Sequence, residues 1–181
     1  MKIFLSSTFK DLATERAAVC EALTRMSAQY SAMEYFGSFS DEPLAKCLAK
    51  VRSSDVVVLL LGSKYGFVPD GHDKSMTELE YREAIESKIP VLAYLKSMPP
   101  HRLEDEIAVF RDIVSKAHGR SEFTSPDDLA WQVVSDLARE FLIPMGENAA
   151  EVAQNVFFGD ILMGSLSTRH SAREYSGFRD A

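Results

Sequence analysis

The chain reads as an α/β fold: a flavodoxin-like, doubly wound parallel sheet of five strands with helices on both faces. Three observations predict this. Strand-like and helix-like apolar periods alternate from the first residues onward. The run Val56-Val57-Val58-Leu59-Leu60-Leu61 is apolar at every position, as strands at the centre of a parallel sheet are. Each strand-like segment is separated from the next by a helix-like one, and right-handed crossovers then give a sheet of order 2-1-3-4-5.

Taken in order, Lys2 to Ser6 reads as a strand and Asp11 to about Arg25 as a helix with Leu12, Val19, Ala22, Leu23 and Met26 on one side. Ala32 to Phe36 supplies a second short strand and Gly37 to Asp41 a loop. Pro43 to Val51 follows as a helix, its proline in the first turn where a missing N–H does no harm. The third strand, Val56 to Leu61, leads through Gly62 and the loop Ser63 to Lys74 into a helix over Ser75 to Lys88. Ser75 and Glu78 stand in capping-box spacing at its start. Pro90 to Leu95 is the fourth strand, with the proline at its beginning. Met98-Pro99-Pro100 breaks the chain, Leu103 to Ala117 reads as a helix, and Ser121 to Thr124 as an edge strand. Ser125-Pro126-Asp127-Asp128 opens a last helix through Leu129, Val133, Val134, Leu137 and Phe141.

From Pro144 the periodicity is lost. Val152, Val156, Phe157, Ile161 and Leu162 suit one more amphipathic helix, and Ser165 to Ala181 reads as a linker or docking arm. The expected organisation is therefore a domain over 1–143 and a tail over 144–181. With 181 residues, 46% of them hydrophobic, the chain is long enough for one such core and too short for two full domains.

The net charge of -7 argues against nucleic acid as a general partner, since that binding rests on cationic contacts to phosphate. Cys20 and Cys47 form no C-x-x-C pair, and no His/Cys cluster has metal-ligand spacing, so free thiols and no metal are expected. Ile3-Phe4-Leu5 is too short for a signal-peptide core and Val56 to Leu61 far too short to span a membrane. A cytoplasmic protein without membrane contact is expected. Neither a G-x-x-x-x-G-K-[ST] loop nor a G-x-S-x-G elbow occurs.

In such a sheet the ligand crevice lies beyond the carboxyl ends of strands one and three. That edge carries Ser6, Ser7, Thr8 and Phe9 on one side and Gly62, Ser63, Lys64, Tyr65 and Gly66 on the other, with the helix of Glu78 and Glu80 alongside. These two acids are roughly 200° apart around a helix, so both cannot face one cleft. The capping spacing occupies Glu78 and leaves Glu80 without a local role.

The ordered pattern Ile3-Phe4-Leu5-Ser6-Ser7-Thr8-Phe9-x-Asp11-Leu12-x-x-Glu15-Arg16, then Ser54-Asp55 before an apolar strand, Gly62-Ser63-x-Tyr65-Gly66, and Thr77-Glu78-Leu79-Glu80-Tyr81 before Ala84, resembles a known family. It is the TIR-like domain of unknown function, domain-of-unknown-function family 4062, found at the front of multidomain NTPase and repeat proteins. That family is distantly similar to TIR NADases and to nucleoside deoxyribosyltransferases, in which a glutamate on the helix after the third strand works on an N-glycosidic bond. Glu80 matches that glutamate, with Ala84 four residues on and the next strand opening at Pro90. The resemblance implies that Glu80 is catalytic, that Ser6, Ser7, Thr8 and Phe9 line a nucleotide pocket, and that Tyr65 lies close by. Gly62, Ser63 and Tyr81 fall on the substrate side of the same motifs. The tryptophan or cysteine that TIR enzymes often carry just before the acid is replaced by Met76 and Thr77.

Cleavage of the nicotinamide–ribose bond of NAD builds positive charge on the ribose, which a nearby carboxylate stabilises. Nicotinamide leaves as a neutral molecule, so one acid suffices. Phe9 or Tyr65 offers a stacking surface, and Ser6 to Thr8 offer donors to ribose or phosphate. The plain structural alternatives are a solvated helix acid at Glu80, a serine/threonine turn with Thr8-x-x-Asp11 as a cap, packing roles for Tyr65 and Phe67, and backbone roles for Gly62 and Gly66. Arg16 either pairs near Asp11 or Glu15 or anchors the first helix, and no chemistry is assigned to it.

The expectation is thus a signalling or effector domain that takes NAD or a related nucleotide as substrate rather than cofactor, works as a homo-oligomer or with a partner domain, and serves antiphage defence by family analogy. A non-catalytic interaction module and a deoxyribosyltransferase-like enzyme are the alternatives.

Overall fold

The computed structural model describes residues 1–32, 43–119 and 121–141. Its sheet has five strands in the order β2-β1-β3-β4-β5, with every pairing parallel. The strands are β1 (Lys2–Ser7), β2 (Gln29–Ala32), β3 (Val56–Leu61), β4 (Val91–Lys96) and β5 (Ser121–Phe123). The helices are α1 (Ala13–Arg25), α2 (Pro43–Arg52), α3 (Met76–Glu86), α4 (Asp105–Ala117) and α5 (Pro126–Phe141). The predicted α/β class and strand order are those observed.

β3 sits in the middle, with Ile3 to Ser7 in register with Val56 to Leu60 on one side and Val57 to Leu61 in register with Val91 to Leu95 on the other. All six of its side chains are buried. Each leucine there contributes roughly 1.5–3 kcal/mol through loss of contact with water.

Successive strand residues face opposite sides. On one side Phe4, Val57, Leu59, Leu61, Ala93 and Leu95 form a core cluster with Val51 of α2, Tyr81 and Ala84 of α3, and Ile107, Phe110 and Val114 of α4. On the other, Ile3, Leu5, Val58, Leu60 and Tyr94 are buried. α1 lies on that second side: its Arg16 reaches Ser7, and its Glu15 accepts from the Lys96 ammonium at 2.6 Å.

Several element ends differ from expectation, three of them for the following physical reasons. β2 runs over Gln29–Ala32, upstream of the apolar stretch that drew the prediction to Ala32–Phe36; it is an edge strand, and edges tolerate polar residues. Residues 33–36 lie outside the described residues. α1 begins at Ala13, because the Asp11 carboxylate is engaged away from the helix and Leu12 is its N-cap residue. α4 begins at Asp105, since Pro100–Arg102 form a 3-10 turn and Leu103 and Glu104 are extended.

α5 starts as predicted on Ser125, whose Oγ accepts from the Asp128 N–H at 3.2 Å. The chain divides into two compact units, 1–134 and 135–181. In the first, Leu129, Val133 and Val134 of α5 are buried; in the second, the described residues 135–141 continue the helix. The expected tail, with its helix near Val152 to Leu162, lies outside the described residues. Among the described residues no helix is long and apolar enough to cross a membrane.

Candidate functional site

The carboxyl end of β1 supplies two adjacent serines, and alternation sends them to opposite faces of the sheet. Ser6 turns to α3 and donates to Glu80 Oε2 at 2.5 Å. Ser7 turns to α1, where its hydroxyl accepts from Arg16 Nη1 at 2.5 Å and donates to the Thr8 carbonyl at 3.1 Å. Arg16 also donates to the Ser7 carbonyl at 3.3 Å. A buried acid and a buried cation, each 1% exposed, thus flank one strand end.

Glu80 is the more unusual of the two. Its second oxygen, Oε1, is buried without a hydrogen-bond partner among the described residues. Desolvation pushes its carboxyl up to about 7, against the opposing pull of the Ser6 hydrogen bond and the Arg16 charge. The buried thiol of Cys47 on α2 is pushed up to about 11, first by burial and then by the nearby Glu80 charge.

A cavity of about 620 Å³ opens at this edge, lined by Ser7, Thr8, Phe9, Lys10, Asp11, Lys64, Gly66, Phe67, Met76, Thr77 and Glu104. Phe9 and Phe67 are 58% and 70% exposed, so two aromatic rings stand at it largely free of the core. Glu80 does not line it. The acid lies one helical turn beyond Met76 and Thr77, which do, and its side chain is enclosed against the sheet beside Ser6.

The loop from β3 to α3 forms the far wall and is held by two carboxylates. Asp11 Oδ2 accepts from the Ser63 N–H at 2.8 Å and the Lys64 N–H at 3.0 Å, while Asp11 Oδ1 accepts from the Thr8 hydroxyl. Glu104 accepts from the Tyr65 N–H at 2.7 Å and the Lys64 ammonium at 2.9 Å. Those bonds hold the Glu104 carboxyl below the usual carboxylate range, with the Lys64 contact the largest cause. Arg111 of α4 donates to the Leu61, Gly62 and Lys96 carbonyls at 2.9, 3.0 and 2.9 Å, closing off the ends of β3 and β4. Gly66 has φ +90°, a left-handed conformation that suits glycine, and an added Cβ would lie 2.7 Å from the Thr8 methyl.

Glu78 has a job other than the predicted reciprocal cap. Ser75 Oγ does accept from the Glu78 N–H at 3.3 Å, but the Glu78 carboxylate does not reach back. It accepts instead from the Tyr65 hydroxyl at 2.6 Å and from Arg82 Nε at 2.8 Å.

Of the residues singled out in the sequence, Ser7, Thr8 and Phe9 line the cavity and Ser6 touches Glu80. Gly62 and Ser63 sit behind the wall against Asp11. Tyr65 packs on the core cluster while its hydroxyl goes to Glu78. The Tyr81 ring is buried edge-on to Phe110, with centroids 5.5 Å apart, and its hydroxyl meets His118 Nε2 at 3.1 Å. Nothing in the sequence singles out Lys10, Lys64 or Glu104 for binding, and Phe67 reads there as a packing residue more readily than as a stacking platform. Asp11 carried a signal, since Thr8-x-x-Asp11 stood out as a cap, but nothing local showed that its second oxygen would cross to another loop. Among the described residues no group of three or more His, Cys, Asp or Glu is placed to hold a metal.

Fold and site together define a doubly wound α/β domain with a crevice at the ends of its first and third strands. Residues 2–138 match the family described as Domain of unknown function (DUF4062), and the chain belongs to it. No curated protein matches the chain significantly.

Proposed function

We propose that this chain is a TIR-like nucleotide-binding domain that takes NAD or a related nucleotide at the carboxyl edge of its sheet and acts on the N-glycosidic bond through Glu80. The observation that carries the reading is the Glu80 carboxyl: buried, held on one oxygen only among the described residues, and pushed up to about 7, the range in which a group exchanges its proton most readily. An unpartnered buried oxygen is costly in a purely structural acid. As a carboxylate near the anomeric carbon it would stabilise the cationic ribose of the transition state. Exposed Phe9 and Phe67 suit a planar base, and Lys10 and Lys64 suit phosphate.

In the arrangement described, Glu80 is shut off from the cavity, so catalysis requires Ser6 to release it or the Met76–Thr77 turn to shift when nucleotide enters. That same enclosure favours the second reading, a non-catalytic interaction module in which Glu80 is a buried structural acid. The two separate by experiment. Concentrated protein is incubated with NAD, and separately with a deoxynucleoside and a free base, and nicotinamide, cyclic products or exchanged base are measured. Release of nicotinamide that falls by about 100-fold or more in Glu80→Gln and survives in Glu78→Gln supports the enzyme. Turnover unaffected by Glu80→Gln overturns the catalytic role of Glu80, and no turnover of either substrate leaves the interaction module.

A further inference from the structure

We propose that Asp11 is the positioning residue of the cavity, its carboxylate holding the β3–α3 loop against the β1–α1 loop and so setting the shape of the space between them. Both oxygens are committed. Oδ1 takes the Thr8 hydroxyl of its own loop, and Oδ2 takes the Ser63 and Lys64 N–H groups, with the Ser63 hydroxyl at 3.4 Å. These amides lie just past the end of β3, where the strand ladder no longer supplies acceptors. Two neighbouring N–H groups aimed at one point make a small anion cradle, and here the protein's own carboxylate fills it.

Gly62 shows how closely the cradle is built. A Cβ there would lie 2.3 Å from Asp11 Oδ2, so the acid occupies the space a side chain would take. Glu104 secures the loop from the other side through the Tyr65 N–H, and its own N–H donates to the Ser63 carbonyl at 3.1 Å. Three consecutive loop amides therefore end on carboxylates brought from two other parts of the chain. The acids of this wall are engaged in holding backbone, which makes them determinants of shape rather than ligand contacts.

The statement about the loop stands on these contacts alone; its effect on ligand rests on the nucleotide reading above. The test is amide hydrogen exchange on the full chain, with NAD binding measured by calorimetry in parallel. Asp11→Ala is expected to speed exchange at Ser63 and Lys64 by about tenfold or more while the β3 amides keep their rates. Asp11→Asn, which keeps an acceptor oxygen, restores most of the protection. Gly62→Ala, whose methyl evicts the carboxylate, reproduces the Asp11→Ala pattern and carries the test if that variant does not fold. NAD affinity falls about tenfold in Asp11→Ala and recovers in Asp11→Asn. Wild-type protection at Ser63 and Lys64 in both Asp11→Ala and Gly62→Ala overturns the proposal, as does faster exchange spread evenly through the sheet. Absence of NAD binding in the wild type counts against the nucleotide reading, while the exchange rates still decide the role of Asp11.

Discussion

The two ends of the first turns of α3 hold an acid each, Glu78 and Glu80, and the residues are 5% and 1% exposed. Their surroundings nevertheless differ in kind. Glu78 lies at the loop side, where the Tyr65 hydroxyl takes one oxygen and Arg82, itself half-exposed, takes the other. Glu80 lies at the sheet side, where the neighbours are strand and helix side chains and, among the described residues, only Ser6 donates. Depth of burial is nearly the same for both. What separates them is the supply of donors, and that supply follows from what each helix face meets: a polar loop on one side, an apolar sheet on the other.

The largest expected effect is the pH dependence that Glu80 brings to stability. Its folded-state value of about 7 lies above the ordinary 4.5, so the folded protein holds this proton more tightly than the unfolded chain does. The stabilising contribution is complete below about 4.5 and is lost as the pH rises through about 7, a change on the order of 3 kcal/mol. Urea unfolding of wild type and Glu80→Gln across this range is the measurement. The difference between the two should move in favour of the variant as pH rises, which also cancels the contribution of His118, whose value burial lowers. A difference that stays constant with pH would show that the two acids are not distinguished in this way.

A smaller effect is expected on the Glu78 side. Glu78→Ala leaves the Tyr65 hydroxyl and Arg82 without their acceptor and should cost about 1–3 kcal/mol in urea unfolding at neutral pH. A double-mutant cycle with Tyr65→Phe should show a coupling between the two positions; additivity would mean that the 2.6 Å contact contributes little. The smallest effect belongs to Arg82→Ala, about 0.3–0.5 kcal/mol, because a half-exposed pair one turn apart on a helix is screened by water.

Much of the fold was legible because local signals and tertiary demands agree. β3 is apolar throughout and central, Ser125 and Pro126 open a helix and cap it, and alternation of strand and helix leaves few topologies. β2 starts upstream of the predicted segment because an edge strand is defined by its pairing with β1 and not by apolarity. At the site, the rule of 3.6 residues per turn separated Glu78 from Glu80 correctly but gave no direction to either. The enclosure of Glu80 depends on Ser6, 74 positions away, and the reach of Asp11 on a loop 52 positions away. Contacts of that range leave no trace in local spacing. The exposed Phe67 was legible as a residue and illegible as a surface, since exposure of an aromatic ring is decided by what fails to cover it.

The paired serines of β1 also bear on how the strand finds its place during folding. A strand hidden on both faces has no inside-and-outside alternation to choose one pairing over its neighbour one step along. Were β1 to slip so that Leu5 stood where Ser6 stands, Glu80 would lose the Ser6 donor to a leucine. Were it to slip the other way, Thr8 would be drawn into the strand and away from Asp11. Two hydroxyls at the tip of a greasy ribbon thus act as its index mark, penalising either misalignment before the helices close over it.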